Sequence, residues 1–142
     1  MECEFPTVNS NKEVIKEIFN TVKTIAIIGL SPDETKDSHK VAKYLQEKGF
    51  QIIPVYPKED VILGEKVYRS LVEIEGRVDM VNIFRKPDAL VAIADASIAR
   101  GDVKVFWAQK GIVHNEAAKK AEDAGMKVVQ NQCSMVEHRN LV

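Results

Sequence analysis

A chain of 142 residues is long enough to bury one core, and a 45% hydrophobic content is that of a globular protein. Twenty Lys and Arg against twenty-one Asp and Glu leave a net charge of −1, so no overall field draws the chain to nucleic acid or to a membrane surface. Two cysteines, Cys3 and Cys133, are too few and too far apart for a disulfide scaffold or a zinc site of CxxC pairs.

The first residues, MECEFPTVNSNKEV, lack the basic and apolar regions of a signal peptide. No apolar run approaches the ~18 residues of a membrane span, so a reducing cytoplasm is the expected location. Residues 11–22 (NKEVIKEIFNTV) place Val14, Ile15, Ile18, Phe19 and Val22 at helical spacing, with Asn11 or Ser10 as the cap. This helix packs either on its own domain or on a second copy; the sequence leaves both open, along with any protein partner or homo-oligomer. The run TIAIIGL (24–30) reads as a strand ending at Gly29. The loop PDETKD leads to a helix over SHKVAKYLQEK (38–48), and the next strand is QIIPVYP (51–57). Residues 59–76 are less regular, with a loop and a short helix around Leu71 to Ile74.

The pattern then resumes. VDMVNIF (78–84) is a strand, and DALVAIADASIAR (88–100) a helix capped by Asp88 after Pro87. VKVFWAQ (103–109) is a strand, NEAAKKAEDA (115–124) a helix capped by Asn115, and MKVVQN (126–131) the last strand. Gly49, Gly101 and Gly125 follow three of the helices as C-terminal caps. Short apolar runs without alternation fit strands buried on both faces. The β-α-β alternation predicts an α/β doubly wound parallel sheet of about five strands, with helices on both faces. One domain over residues 1–142 is expected, with the N-terminal helix before a core of about 23–142.

In such sheets ligands bind outside the carboxyl ends of the strands, where strand order reverses. The first strand end offers Gly29, Leu30, Ser31 and Pro32: a tight turn, free N–H groups and a hydroxyl for a phosphate. One glycine stands where a dinucleotide fingerprint has three. The second end reads Pro57-Lys58, where NAD sites usually carry an acid. An ammonium there favours a phosphorylated ribose, which means CoA or NADP over NAD. The third end supplies Phe84, Arg85, Lys86 and Pro87, and Arg grips phosphate bidentately. Lys40, in the first turn of the second helix, opposes the helix dipole and so points to another use, with Lys36 as a further cation. The fourth end offers Trp107, Gln109 and Gly111: a ring to pack on a ligand, an amide to hydrogen-bond it, and space for close approach. Trp107 fits core packing equally well. No catalytic set emerges, and no metal site. His39, His114 and His138 are scattered, and Cys133 lacks an evident activating neighbour.

The segments IGLSP, HKVAKYLQEKGF, IIPVYPK, LGEKVYRSL, VDMVNIFRKP, VFWAQKGI and QNQCSMVEHRNL, in this order, resemble the CoA-binding domain family. Its members have a Rossmann-like fold related to the N-terminal domain of the succinyl-CoA synthetase alpha subunit, and many stand alone. The resemblance implies CoA, or an acyl-CoA, lying across the strand ends. Gly29, Ser31 and Pro32 would line its pyrophosphate, and Lys40 and Lys58 would face phosphates or the adenosine end. Arg85 and Pro87 would flank the nucleotide, and Trp107, Gln109 and Gly111 the pantetheine. The synthetase subunit continues into a second domain with a phosphorylated histidine. This chain ends at Val142, so the resemblance implies binding or regulation and not ligase activity. The alternatives are an NADP-binding oxidoreductase, a CoA-linked enzyme subunit, and an interaction module without a ligand.

Overall fold

The computed structural model describes residues 5–142; Cys3 lies outside them. Helix α1 (Lys12–Thr21) starts where the Asn11 side chain accepts the backbone N–H of Val14 at 2.9 Å. It buries Ile15, Ile18 and Phe19 against the chain's own sheet, which settles where the N-terminal helix packs. The elements then run β1 (Thr24–Ile28), α2 (Asp37–Glu47), β2 (Gln51–Val55), β3 (Val61–Ile62), β4 (Glu65–Lys66), β5 (Met80–Ile83), α3 (Leu90–Arg100), β6 (Val105–Ala108), α4 (Asn115–Asp123), β7 (Lys127–Val129) and α5 (Ser134–Leu141).

Five strands form one parallel sheet in the order β2-β1-β5-β6-β7. Every residue of β1, β5 and β6 is buried, because helices cover both faces. Ile25 and Ile27 of β1 pack with α1, α2 and α5, while Ala26 and Ile28 pack with α3 and α4. From β1 the chain steps outward to β2, then crosses back to β5 and continues outward on the other side. Strand order therefore reverses between β1 and β5, which makes the crevice at their carboxyl ends the place for a ligand. This is the doubly wound, Rossmann-like architecture that the alternation predicts.

Local structure departs from the sequence expectations at four places. Pro87 opens a 3-10 turn over Pro87–Ala89, so α3 begins after it, and Ala89 rather than Asp88 is the cap position. At α4 the cap is His114, whose Nδ1 accepts the N–H of Ala117 at 3.1 Å. Asn115 is engaged elsewhere: its side chain accepts from Thr7 N (2.9 Å) and donates to Phe5 O (2.7 Å), tying down the N-terminal segment. The irregular 59–76 region holds a hairpin, β3–β4, turned by Leu63 (φ 54°) and Gly64 (φ 78°), the positive pair that a two-residue hairpin turn needs. A 3-10 turn at Leu71–Glu73 follows. Helix α5 was not expected. Its buried face includes Ser134, Glu137 and His138, which are polar and invisible to a hydrophobic period.

The amino end of the sheet is fastened by Asp79, just before β5. Its carboxylate accepts the N–H groups of Lys23 (2.9 Å) and Thr24 (3.1 Å) and pairs with Arg77 (2.7 Å). Burial pushes the Asp79 carboxyl up, but the two N–H donors and Arg77 outweigh it and hold it below its ordinary 3.8. A depressed carboxyl stabilises the fold above its unfolded value, and that contribution is lost as pH falls through the folded one. Asp79→Asn is therefore expected to cost about 1 to 2 kcal/mol at neutral pH. Urea unfolding should then show the variant's stability falling less steeply than the wild type's on acidification below 3.8.

Candidate functional site

At the carboxyl ends of β1, β2 and β5 lies an open cavity of about 410 Å³, lined by Ile28, Gly29, Val55, Tyr56, Pro57, Arg69, Phe84 and Arg85. A second, of about 280 Å³, lies beyond Phe84, between the starts of α2 and α5 and the segment after β6. Val41, Phe84, Gln109, Ile112, Cys133, Met135 and Val136 line it, with Asp37, Lys40 and Lys110 supplying charge. Phe84 belongs to both walls. The two cavities thus adjoin at Phe84, the first with Arg69 and Arg85 in its lining and the second with mostly apolar residues beside Asp37, Lys40 and Lys110.

Gly29 makes the approach of β1 to β5 possible. It sits at φ +90°, and a Cβ there would stand 2.4 Å from the carbonyl oxygen of Phe84. Its own N–H donates to Val55 O (2.9 Å), and Phe84 N–H donates to Ile28 O (2.8 Å). The end of β1 is thereby tied to both neighbouring strands. The loop that follows is braced internally. Ser31 N–H donates to Ser38 Oγ (3.0 Å), Ser31 Oγ accepts from Asp33 N–H (3.1 Å), and His39 Nδ1 meets Ser31 O (2.9 Å).

That bracing changes how the first strand end can serve a ligand. The N–H groups of Gly29 and Ser31, expected to be free for a phosphate, already have protein acceptors. Leu30 is fully buried in the core with Val41 and Leu45. Neither Ser31 nor Pro32 lines either of these two cavities.

Of the other expected residues, Gly29, Pro57, Phe84 and Arg85 meet in the first cavity, and Lys40 and Gln109 join Phe84 in the second. Lys58 is exposed and lines neither cavity. Pro87 begins the 3-10 turn, and Gly111 donates its N–H to Asn131 Oδ1 at 2.7 Å. Trp107 is fully buried, donates its indole N–H to Gln132 O at 2.8 Å, and packs on Phe19 with ring centroids 5.4 Å apart. It is core and offers no surface to a ligand. The alternation along β6 sends its side chain toward α1 and α5.

Arg69 is the lining residue that lies outside every strand end. Arg69 Nη1 donates to three carbonyls of the loop after β2: Tyr56 (3.1 Å), Lys58 (3.0 Å) and Glu59 (2.8 Å). This holds the loop in place; Nη2 lies 3.7 Å from Asp60 Oδ1, and Arg69 lines the cavity together with Arg85. No signal within Tyr68-Arg69-Ser70 announces this, since the hairpin must first fold back to bring Arg69 to the strand end. Gln109 is 4% exposed; Ser134 N–H (3.1 Å) and Oγ (2.9 Å) both bond its Oε1. Among the described residues no group of three His, Cys, Asp or Glu could hold a metal ion, and no helix is long and apolar enough to cross a membrane.

Residues 23–139 match the family model described as a CoA binding domain. The chain belongs to the CoA-binding domain family. It is 42% identical over 130 residues to the uncharacterized protein YneT of Bacillus subtilis, covering 92% of this chain and 96% of that one. A solved structure of a hypothetical protein from Pyrococcus horikoshii superposes with a TM-score of 0.90 at 38% identity, covering 99% of both chains. Acetate–CoA ligase (ADP-forming) I of Archaeoglobus fulgidus is 31% identical over 121 residues, which are 78% of this chain but 18% of the ligase. The CoA-binding domain is thus shared with much longer enzymes of which this chain spans a small part.

Proposed function

We propose that this chain binds coenzyme A, or an acyl-CoA, along the groove that crosses Phe84, as a stand-alone binding or regulatory protein of the cytoplasm. The observation that carries this is the groove's division into two unlike ends. One end presents Arg69 and Arg85 beside the Gly29 turn; the other is largely apolar, with the Gln109 amide in its wall and Asp37, Lys40 and Lys110 also lining it. CoA has the matching halves: a phosphorylated nucleotide head and a long arm of methylenes and amides. The two positive charges suit the head, and the Arg85 guanidinium can offer phosphate paired N–H donors. In this reading Lys40 lies along the arm's cavity, and the head is read by Arg69 and Arg85 more than by Lys58. The ligase relatives are named for a CoA reaction, and only their CoA-binding domain aligns.

The same two cations would serve NADP, but NADP leaves the apolar end without a partner. Calorimetric titration with CoA, dephospho-CoA, NADP and NAD separates these ligands. CoA is expected to bind most tightly, with dephospho-CoA weaker by about tenfold or more, since one charge-assisted contact is worth roughly 1.5 kcal/mol or more. Tighter binding of NADP than of CoA would overturn the proposal. So would the absence of heat and of any melting shift with CoA.

A further inference from the structure

The arm's cavity contains a thiol that binding alone does not require. Cys133 lines it, half-buried, in the residue that immediately precedes α5. A cysteine in a cavity wall carries no chemistry by itself; the side chain beside it does. Gln109 lines the same cavity and is 4% exposed. The backbone N–H of Ser134 can only donate, and it donates to Gln109 Oε1 (3.1 Å). That fixes which end of the amide is oxygen and turns the NH2 away from Ser134. The NH2 makes no hydrogen bond among the described residues. A donor without a protein acceptor, on a residue only 4% exposed that lines a cavity, suits an acceptor on a ligand.

The Gln109 amide and Cys133 are connected through one hydrogen bond and line the same cavity. The Ser134 N–H that holds Gln109 belongs to the peptide unit that joins Cys133 to Ser134. Ser134 Oγ also donates to Gln109 Oε1 (2.9 Å) and accepts from Asn82 Nδ2 (2.9 Å). Asn82, Gln109 and Ser134 are all at least nine-tenths buried, so this network fixes the end of β6 against the start of α5.

We infer that Cys133 accepts an acyl group from an acyl-CoA, with the Gln109 amide NH2 donating to the thioester carbonyl oxygen. This rests on the proposed CoA reading, which puts the arm's terminal sulfur in the second cavity. In the exchange a bond forms between Cys133 Sγ and the acyl carbon, and the bond from that carbon to the CoA sulfur breaks. The thiol proton of Cys133 passes to the departing CoA sulfur. Thioester replaces thioester and thiol replaces thiol, so no oxidant or other reactant is consumed and the step runs in both directions. Negative charge gathers on the carbonyl oxygen in between, where a preorganised N–H donor is effective. The protein would then act as a single-turnover acyl carrier.

The test incubates the reduced full chain with acetyl-CoA at neutral pH, followed by intact mass and peptide mapping. Binding of free CoA is measured separately by calorimetry. One acetyl group on Cys133 is expected, formed at least about tenfold faster than on Cys3 of the same molecule and removed by excess free CoA. Gln109→Glu keeps the acceptor for Ser134 and removes the NH2, so at saturating acetyl-CoA it should acetylate about a hundredfold more slowly. A chain that binds CoA but acetylates Cys133 no faster than Cys3 overturns the inference and leaves the binding proposal standing. Equal rates for Gln109→Glu and wild type would overturn the role of the amide. A chain that binds no CoA overturns the binding proposal, and this inference with it. If Gln109→Glu fails to fold, the comparison of Cys133 with Cys3 still decides the outcome.

Discussion

Gly29→Ala is expected to lower stability by about 3 to 4 kcal/mol and to remove CoA binding in whatever fraction still folds. Two penalties combine. At φ +90° an alanine is strained wherever it stands. Its methyl carbon would also lie 2.4 Å from the Phe84 carbonyl oxygen, a backbone atom that cannot swing aside. Relief requires the ends of β1 and β5 to part, which breaks the Phe84 N–H to Ile28 O bond and displaces Phe84 from both cavity walls. Gly111→Ala is the matched control. Its φ is +86°, but nothing lies within 4 Å of the added carbon, so only strain of about 1 kcal/mol is expected. Urea unfolding of the two variants should separate them by at least about 2 kcal/mol. Equal midpoints would mean that the close approach at Gly29 has no energetic weight.

The same close approach shows what a sequence can and cannot reveal. Gly29 is legible as a turn after an apolar run, and its place at the site follows from the sheet type. Its contact with Phe84 is not legible, because 55 residues separate the two and only the β1–β5 pairing unites them. The strands were recognisable because burial on both faces leaves unbroken apolar runs. That very uniformity hides side-chain direction. In VKVFWAQ neither neighbour of Trp107 is polar, so nothing in the run says which face the indole takes, and it turned out to be core.

The polar parts of the site were obscured for a related reason. Ser134, Glu137 and His138 are buried polar residues, so α5 lacks the apolar stripe that announces a helix. The loop after β1 was misread in one respect. A glycine turn with few glycines looks rich in free N–H groups, but Ser38, reaching back from α2, had already taken the N–H of Ser31. Long-range side-chain caps of this kind depend on tertiary folding and leave no local pattern. The charges of the groove were half legible. Arg85 follows a strand directly, whereas Arg69 reaches the groove only through the β3–β4 hairpin.

Arg69→Met is expected to weaken CoA binding about a hundredfold while lowering stability by only about 1 to 2 kcal/mol. The asymmetry follows from where Arg69 acts. Its Nη1 holds the carbonyls of Tyr56, Lys58 and Glu59, and Glu59 sits at φ +68°, a conformation that a non-glycine residue adopts at a cost. Lys58, Glu59 and Asp60 are exposed and pack against little, so releasing them leaves the core intact. Tyr56 and Pro57, however, form the cavity wall beside Gly29. Without the guanidinium that wall loses its anchor, and the phosphate end of the ligand loses one of two cations. Arg69→Lys separates the two contributions, because a lysine restores the charge without the planar fork. Its affinity should fall between those of wild type and Arg69→Met. Hydrogen exchange where the loop is pinned, at the N–H of Tyr56 (to Tyr68 O) and of Val67 (to Asp60 O), should quicken in both variants while β1 and β5 stay protected. Slow exchange in that loop together with full CoA affinity in Arg69→Met would place the phosphate end elsewhere, and Arg85 alone would then be the cation to pursue.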